Sequence, residues 1–150
     1  MVTTEQIKAL REKTGISISE CKKALEEAQG DEAQALEILK ARSEVMAGKK
    51  ADREFGAGVV SAYIHGGTVG SLVDVRCETD FVAKNPEFKA IVDDVAMQIA
   101  AMAPASPEEL LTQPFIKNPD QTVGDLFKGA SQKFGERVEL IKFVRFDVAE

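Results

Sequence analysis

The sequence has little of what most catalytic and metal sites are built from. Among its 150 residues are one histidine, His65, two cysteines, Cys21 and Cys77, and no tryptophan. A lone histidine excludes paired-histidine metal sites within one chain, and two distant cysteines without a C-x-x-C spacing argue against a zinc site or a disulfide scaffold. The adjacent Asp93 and Asp94 would point in different directions on a helix, so they do not form a metal pair. No G-x-S-x-G or H-E-x-x-H motif is present, and we therefore expect no metal, no cofactor and no enzymatic chemistry.

Charge and hydropathy exclude further classes of protein. The chain has 19 basic and 25 acidic residues and a net charge of −6, which argues against a nucleic-acid partner. No apolar run approaches the ~20 residues needed to span a bilayer, so we expect no membrane association. The N-terminal residues have no charged region followed by an apolar one, as a signal peptide would. Together with two unpaired-looking thiols, this predicts a cytoplasmic location.

The distribution of charge and the capping motifs divide the chain near residue 50. Residues 1–50 carry 9 basic and 9 acidic side chains, whereas residues 51–150 carry 10 and 16. Capping motifs begin at Thr3, Ser17 and Asp31, each followed by Gln or Glu three residues later and then by apolar residues at helical spacing. We predict a three-helix module at 1–50 and a second domain at 51–150. The basic residues on the outer face of the three-helix module either solvate a polar surface or form a docking surface for an acidic partner.

The second domain has the pattern of a small α+β fold. Residues 58–65 and 69–78 are rich in β-branched side chains and are joined by Gly66-Gly67, which predicts a β-hairpin. Asn85 and Pro86 begin a long amphipathic helix, shorter helices follow, and residues 138–146 form a third strand. The predicted fold class is α+β: the three-helix module followed by a small three-stranded antiparallel sheet packed with helices.

One short loop between the second strand and the long helix places an aromatic residue outside the regular apolar pattern. Thr79 or Asp80 can cap a helical turn there, and Phe81 then falls at the first exposed turn after a strand. Two interpretations stay open: Phe81 folds back onto the core as a hydrophobic staple, or it is an aromatic anchor presented to a partner. In the second interpretation, Asp80 beside it either caps the turn or accepts a hydrogen bond from that partner.

Four segments carry a resemblance to a known family. They are Leu10-Arg11-Glu12-Lys13-Thr14-Gly15, Cys21-Lys22-Lys23-Ala24-Leu25, Gly30-Asp31 and Glu78-Thr79-Asp80-Phe81-Val82-Ala83-Lys84-Asn85. Together they resemble bacterial translation elongation factor Ts over essentially the whole chain. The first segment is shared with other three-helix modules, whereas the Thr-Asp-Phe-Val block is highly specific. The resemblance implies a ubiquitin-associated-like module at 1–50 and an elongation factor Ts core, or dimerisation, domain at 51–150.

The resemblance also implies a function. The family is identified with guanine-nucleotide exchange on elongation factor Tu, without covalent chemistry and without binding nucleotide itself. The factor binds the Tu–GDP complex, displaces magnesium and promotes GDP release, so that GTP can bind during translation elongation. The residues implied in the magnesium step are those that match the family's block: Asp80, Phe81, Val82 and Ala83. Further partner contacts are implied at Ile18, Ser19, Lys22, Lys50, Phe134 and Gly135.

The chain departs from the long form of the family, because it has one core half and ends after the third strand. Short forms compensate by pairing two copies, so the resemblance implies a homodimer that binds two copies of elongation factor Tu. The apolar strand Leu140–Phe146 predicts an edge for that pairing. Two alternatives stay open: a ubiquitin-associated-like adaptor with another partner, and a small cytosolic enzyme.

Overall fold

Three helices form the N-terminal part of the chain, as the capping motifs predict. The computed structural model describes residues 1–49 and 53–150, and it begins with α1 (Thr4–Thr14), α2 (Ile18–Glu27) and α3 (Glu32–Lys49). Before α1, the Thr3 hydroxyl accepts from the backbone N–H of Gln6, whose side chain returns a bond to the Thr3 N–H. The third helix is the longest of the three, with 18 residues.

The apolar positions of these helices meet in one cluster. Its buried members come from all three helices and the loops between them: Leu10, Ile16, Cys21, Ala24, Leu25, Ala28, Ala35 and Leu39. Gly15 ends α1 at φ 69°, a left-handed conformation that glycine adopts without the steric cost a Cβ would bring. The helical periodicity of the sequence therefore identified most of the buried positions, but Ile18, which it places on the buried face of α2, is 56% exposed.

The rest of the chain contains both helices and strands. Its elements are β1 (Ala57–His65), β2 (Val69–Cys77), α4 (Asp80–Ala83), α5 (Pro86–Met102), α6 (Pro107–Thr112), β3 (Pro114–Phe115), β4 (Asn118–Thr122), α7 (Val123–Phe134) and β5 (Glu139–Asp147). Strands β1, β2 and β5 form an antiparallel sheet in the order β1-β2-β5, and β1 and β2 are joined by the predicted turn at Gly66-Gly67. The predicted α+β fold with a three-stranded antiparallel sheet is confirmed.

The chain separates into two compact units. One contains Met1–Ala51 and Lys128–Gly135, and the other contains Asp52–Phe127 and Glu136–Glu150. In the first unit the second half of α7 bonds to α3, because Ser43 donates to the Gln132 side chain and Lys128 pairs with Glu44 at 3.2 Å. Sequence patterning alone placed residues 128–135 in the second domain, and the division at residue 50 stays a prediction.

One face of the sheet is covered by α5. Ser71, Val73, Val75 and Cys77 of β2 are buried, and α5 packs against both β1 and β2. The α5 side chains that fill this layer are Phe88, Val92, Val95, Ala96 and Ile99. Asn85 caps α5, and Pro86 occupies its first turn, where a missing N–H costs nothing.

The short hairpin β3–β4 is absent from the sequence-based prediction. It is anchored by Gln98 of α5, which is fully buried. The Gln98 amide donates to the Pro114 carbonyl at 3.1 Å and accepts from the Ile116 N–H at 2.9 Å. A buried amide that is satisfied on both sides stabilises the hairpin through a tertiary contact that has no local signature.

Among the helices of the described residues, none combines the length and apolar character that crossing a bilayer requires.

Candidate functional site

The turn after β2 is capped by a side chain at its start, and a second side-chain cap begins the helix that follows it. Thr79 precedes α4, and its hydroxyl accepts from the Val82 N–H at 3.4 Å. The Ala83 N–H bonds to the Thr79 carbonyl at 3.1 Å, which closes the helical turn. At the other end the Asn85 side chain accepts from the Glu87 N–H at 2.8 Å and begins α5. The turn is therefore held between a strand and a long helix.

The four residues of α4 divide between the core and the solvent. Val82 and Ala83 are buried, whereas Asp80 is exposed and the Phe81 side chain is 84% exposed. This rejects the staple interpretation, because a staple would bury the ring against the core. Burying such a side chain fully is worth about 1.5–3 kcal/mol, so its exposure leaves that free energy available to a partner.

A carboxylate from the segment before β5 binds the start of this turn. Glu136 Oε1 accepts from the backbone N–H groups of Glu78 at 3.0 Å and Thr79 at 3.1 Å. Its Oε2 accepts from the Thr79 hydroxyl at 2.7 Å. The sequence alone assigns no role to Glu136. The only local signal is its position one residue after Gly135, which has φ 71°.

A second group of contacts lies beside the first. The Arg137 N–H donates to the Glu78 side chain, which also pairs with Arg53 at 3.5 Å. The Arg137 guanidinium lies 4.1 Å from the centroid of the Phe55 ring and donates to the Arg53 carbonyl at 2.7 Å. These contacts join the segment before β1 and the segment before β5 to the end of β2, so the base of the turn is attached on two sides.

The surroundings of the Cys77 thiol, at the end of β2, make it unreactive. Burial raises the pKa of Cys77, and the nearby Glu136 carboxylate raises it further by disfavouring the thiolate. Burial likewise raises the pKa of Cys21 in the first unit. Both cysteines are buried and free. A buried thiol with a raised pKa is a poor nucleophile, so neither cysteine is suited to covalent catalysis.

The other predicted contact residues lie in the first unit. Ile18 is 56% exposed at the start of α2, Ser19 follows it, and Lys22 stands one turn further and pairs with Glu26 at 3.8 Å. Phe134 ends α7 with its ring 5.8 Å from the Lys133 ammonium, and Gly135 is exposed. The first unit thus holds an exposed group on α2 and a second group at the end of α7, where Gly135 is exposed and Phe134 is half-buried. The turn with Asp80 and Phe81 belongs to the second unit. Lys50 lies outside the described residues.

The turn presents groups that are suited to contact with a partner. No group of three or more histidine, cysteine, aspartate or glutamate side chains among the described residues is placed to hold a metal ion. What the turn offers is one aromatic ring and one carboxylate on a short, capped backbone. Exposed aromatic residues on a fixed backbone are typical of binding proteins whose affinity depends on a few anchors.

Comparison with known proteins identifies the family. Residues 78–148 match the family model described as elongation factor TS. An elongation factor Ts from Carboxydothermus hydrogenoformans is 41% identical over 196 residues, which cover 100% of this chain and 90% of that relative. The elongation factor Ts of Alkaliphilus metalliredigens is 40% identical, and the match covers 99% of this chain and 90% of that relative. The one from Heliobacterium modesticaldum is also 40% identical, and the match covers 100% of this chain and 91% of that relative. The chain belongs to the elongation factor Ts family, as the sequence resemblance predicts, and is a translation elongation factor.

Proposed function

We propose that this protein is a guanine-nucleotide exchange factor for elongation factor Tu and acts in the cytoplasm. It binds the Tu–GDP complex, displaces the partner's magnesium ion and promotes release of GDP, so that GTP can bind during translation elongation. Family membership supports the partner, and the exposure of Phe81 on a turn capped by Thr79 supports the mode of action. No covalent step is needed, so the protein is an exchange factor and not an enzyme.

The exchange step follows from a difference in affinity. A factor that binds the nucleotide-free partner more tightly than the nucleotide-bound one must weaken nucleotide binding by the same factor, because coupling between two sites is reciprocal. We assign that preference to Asp80 and Phe81. The ring gains free energy only where the partner opens a pocket for it, and Val82 and Ala83 hold the turn from inside.

Affinity for the partner is assigned to the first unit. Ile18, Ser19 and Lys22 present an apolar side chain, a hydroxyl and a cation on the exposed surface of α2. Phe134 and Gly135 form a second contact at the end of α7, and Lys50 a further one. Contacts made equally in the ground and transition states raise affinity without raising the maximal rate, which separates their role from that of Phe81.

We also propose a homodimer that binds two copies of elongation factor Tu, with pairing through the face of the sheet rather than its edge. The face opposite α5 carries five large apolar side chains that are between 46% and 75% exposed. They are Val60, Ile64, Leu72, Val144 and Phe146, and strand register places them on one side of the sheet. Asp74 and Lys142 lie opposite each other in the strand register on the same face, so two copies meet with both signs of charge present.

A second copy is the occupant that fits this face best. Each copy carries the same apolar surface, so a two-fold axis matches it with itself. Two such sheets stack about 10 Å apart, with their side chains interdigitated. The face is too apolar and continuous to be typical of a monomer surface.

The test is release of labelled GDP from elongation factor Tu with and without this protein. We expect a large acceleration that saturates with increasing factor. Binding to elongation factor Tu without acceleration would contradict the exchange function, and absence of binding would favour the adaptor alternative. Turnover of a metabolite by the purified protein would favour the enzyme alternative.

A further inference from the structure

We propose that Glu136 is a positioning residue for the exchange step, one that orients the turn carrying Asp80 and Phe81. The inference rests on the proposed exchange function and adds to it a residue outside the Asp80–Ala83 block. It starts from an unusual feature of this carboxylate: both of its oxygens bind the two residues that immediately precede α4.

The geometry is that of an anion held at the base of a turn. Oε1 lies 3.0 Å from the Glu78 nitrogen and 3.1 Å from the Thr79 nitrogen, and Oε2 lies 2.7 Å from the Thr79 hydroxyl oxygen. Bonds from neutral donors to a carboxylate are about twice as strong as neutral pairs. Three of them on two consecutive residues fix the backbone direction at the point where β2 ends.

The Thr79 hydroxyl transmits this constraint to the turn. It donates its single proton to Glu136, so its lone pairs are left to accept from the Val82 N–H at 3.4 Å. Phe81 lies between these two bonded residues, so both bonds oppose rotation of its backbone. The backbone that carries the Phe81 ring is therefore held by bonds on both sides, while the ring itself stays exposed to solvent.

The strand ladder does not depend on Glu136. Val138, two residues after Glu136, is buried, and β5 begins at Glu139, which pairs with Arg76 of β2. Losing the carboxylate therefore releases the turn while the sheet stays paired. This distinguishes a positioning role from a general contribution to folding.

The first experiment uses the free protein. Because the sequence has no tryptophan, Phe81→Trp supplies a single fluorescent reporter on the turn. In this Phe81→Trp protein we then introduce Glu136→Gln, which keeps the shape of the side chain and removes its charge. We expect the second change to lower the tryptophan anisotropy, because the turn is held less firmly. Glu139→Gln is the matched control, since Glu139 pairs with Arg137 at 3.0 Å and makes no bond to the turn. Equal anisotropy in all three proteins would overturn the proposal, whether or not the protein exchanges nucleotide.

The second experiment measures GDP release from elongation factor Tu as a function of factor concentration. We expect Glu136→Gln to lower the maximal rate about tenfold. The half-saturating concentration should change by less than about twofold. In a Phe81→Ala background the same change should have less than about a twofold further effect, because its action passes through the ring. Independent, multiplying effects would refute the positioning role.

Thr79 gives a second route to the same link if Glu136→Gln does not fold. Thr79→Ser keeps the hydroxyl and should preserve the maximal rate, whereas Thr79→Val removes it and should reproduce the loss. Equal rates for the two variants would contradict the proposal. Absence of acceleration by the unmodified protein would instead count against the exchange function, and the anisotropy experiment would still decide the role of Glu136.

Discussion

Replacing Phe81 by alanine separates folding from function. The side chain is 84% exposed, so its removal should change the free energy of unfolding by less than about 0.5 kcal/mol. As an interface anchor it should contribute about 2–4 kcal/mol, which lowers the efficiency of nucleotide exchange by about 30- to 700-fold. The measurement is a thermal unfolding curve together with the rate of labelled GDP release.

Phe88 supplies the matched control, because it is the same residue type seven positions later and is fully buried under the sheet. Phe88→Ala should cost about 3–5 kcal/mol of stability, or about 6–20 °C in the unfolding midpoint. The folded fraction of that variant should still exchange nucleotide. If Phe81→Ala instead lowered the midpoint as much as Phe88→Ala does, or exchanged GDP at the normal rate, the anchor role would be refuted.

Three further predictions follow from the pKa shifts and the open sheet face. Cys21 and Cys77 should react slowly with a thiol reagent in the native protein at pH 8 and both rapidly in denaturant, because burial raises each pKa. Hydrogen bonds from Arg76 lower the pKa of Asp74, so the carboxylate stabilises the fold above its ordinary pKa and loses this effect as pH falls through its folded value. The stability difference between the wild type and Asp74→Asn should therefore shrink below about pH 4. Val144→Glu should convert a dimer to a monomer in light scattering, and an unmodified protein that is monomeric at micromolar concentration with full activity would rule out the dimer requirement.

Local signals in the sequence were enough for most of the secondary structure. Thr3, Ser17, Thr79, Asn85 and Ser106 each precede a helix and accept from its first turn. A cap is a contact over two or three residues, so its signature is contained in a short window of sequence. The same holds for the Gly66-Gly67 hairpin, whose two glycines have positive φ.

Contacts between distant segments were not predictable in the same way. The β3–β4 hairpin depends on Gln98, which the sequence shows only as a polar residue within an amphipathic helix. Glu136 binds residues 57 and 58 positions earlier, and nothing in its immediate neighbours specifies that pairing. Periodicity identifies which face of an element is buried, but not which polar group it meets there.

The orientation of Phe81 could not be predicted from the sequence alone, and the environment of the side chain shows why. A staple and an exposed anchor have the same local sequence, since both place an aromatic residue beside a capped turn. They differ in which other residues fill the space beneath the turn, and here Val82 and Ala83 fill it. Because those two side chains and the Thr79 cap hold the backbone, the ring is not needed for stability. Selection for partner binding can therefore act on Phe81 and Asp80 at little cost to folding, and the residues that hold the turn are separate from those it presents.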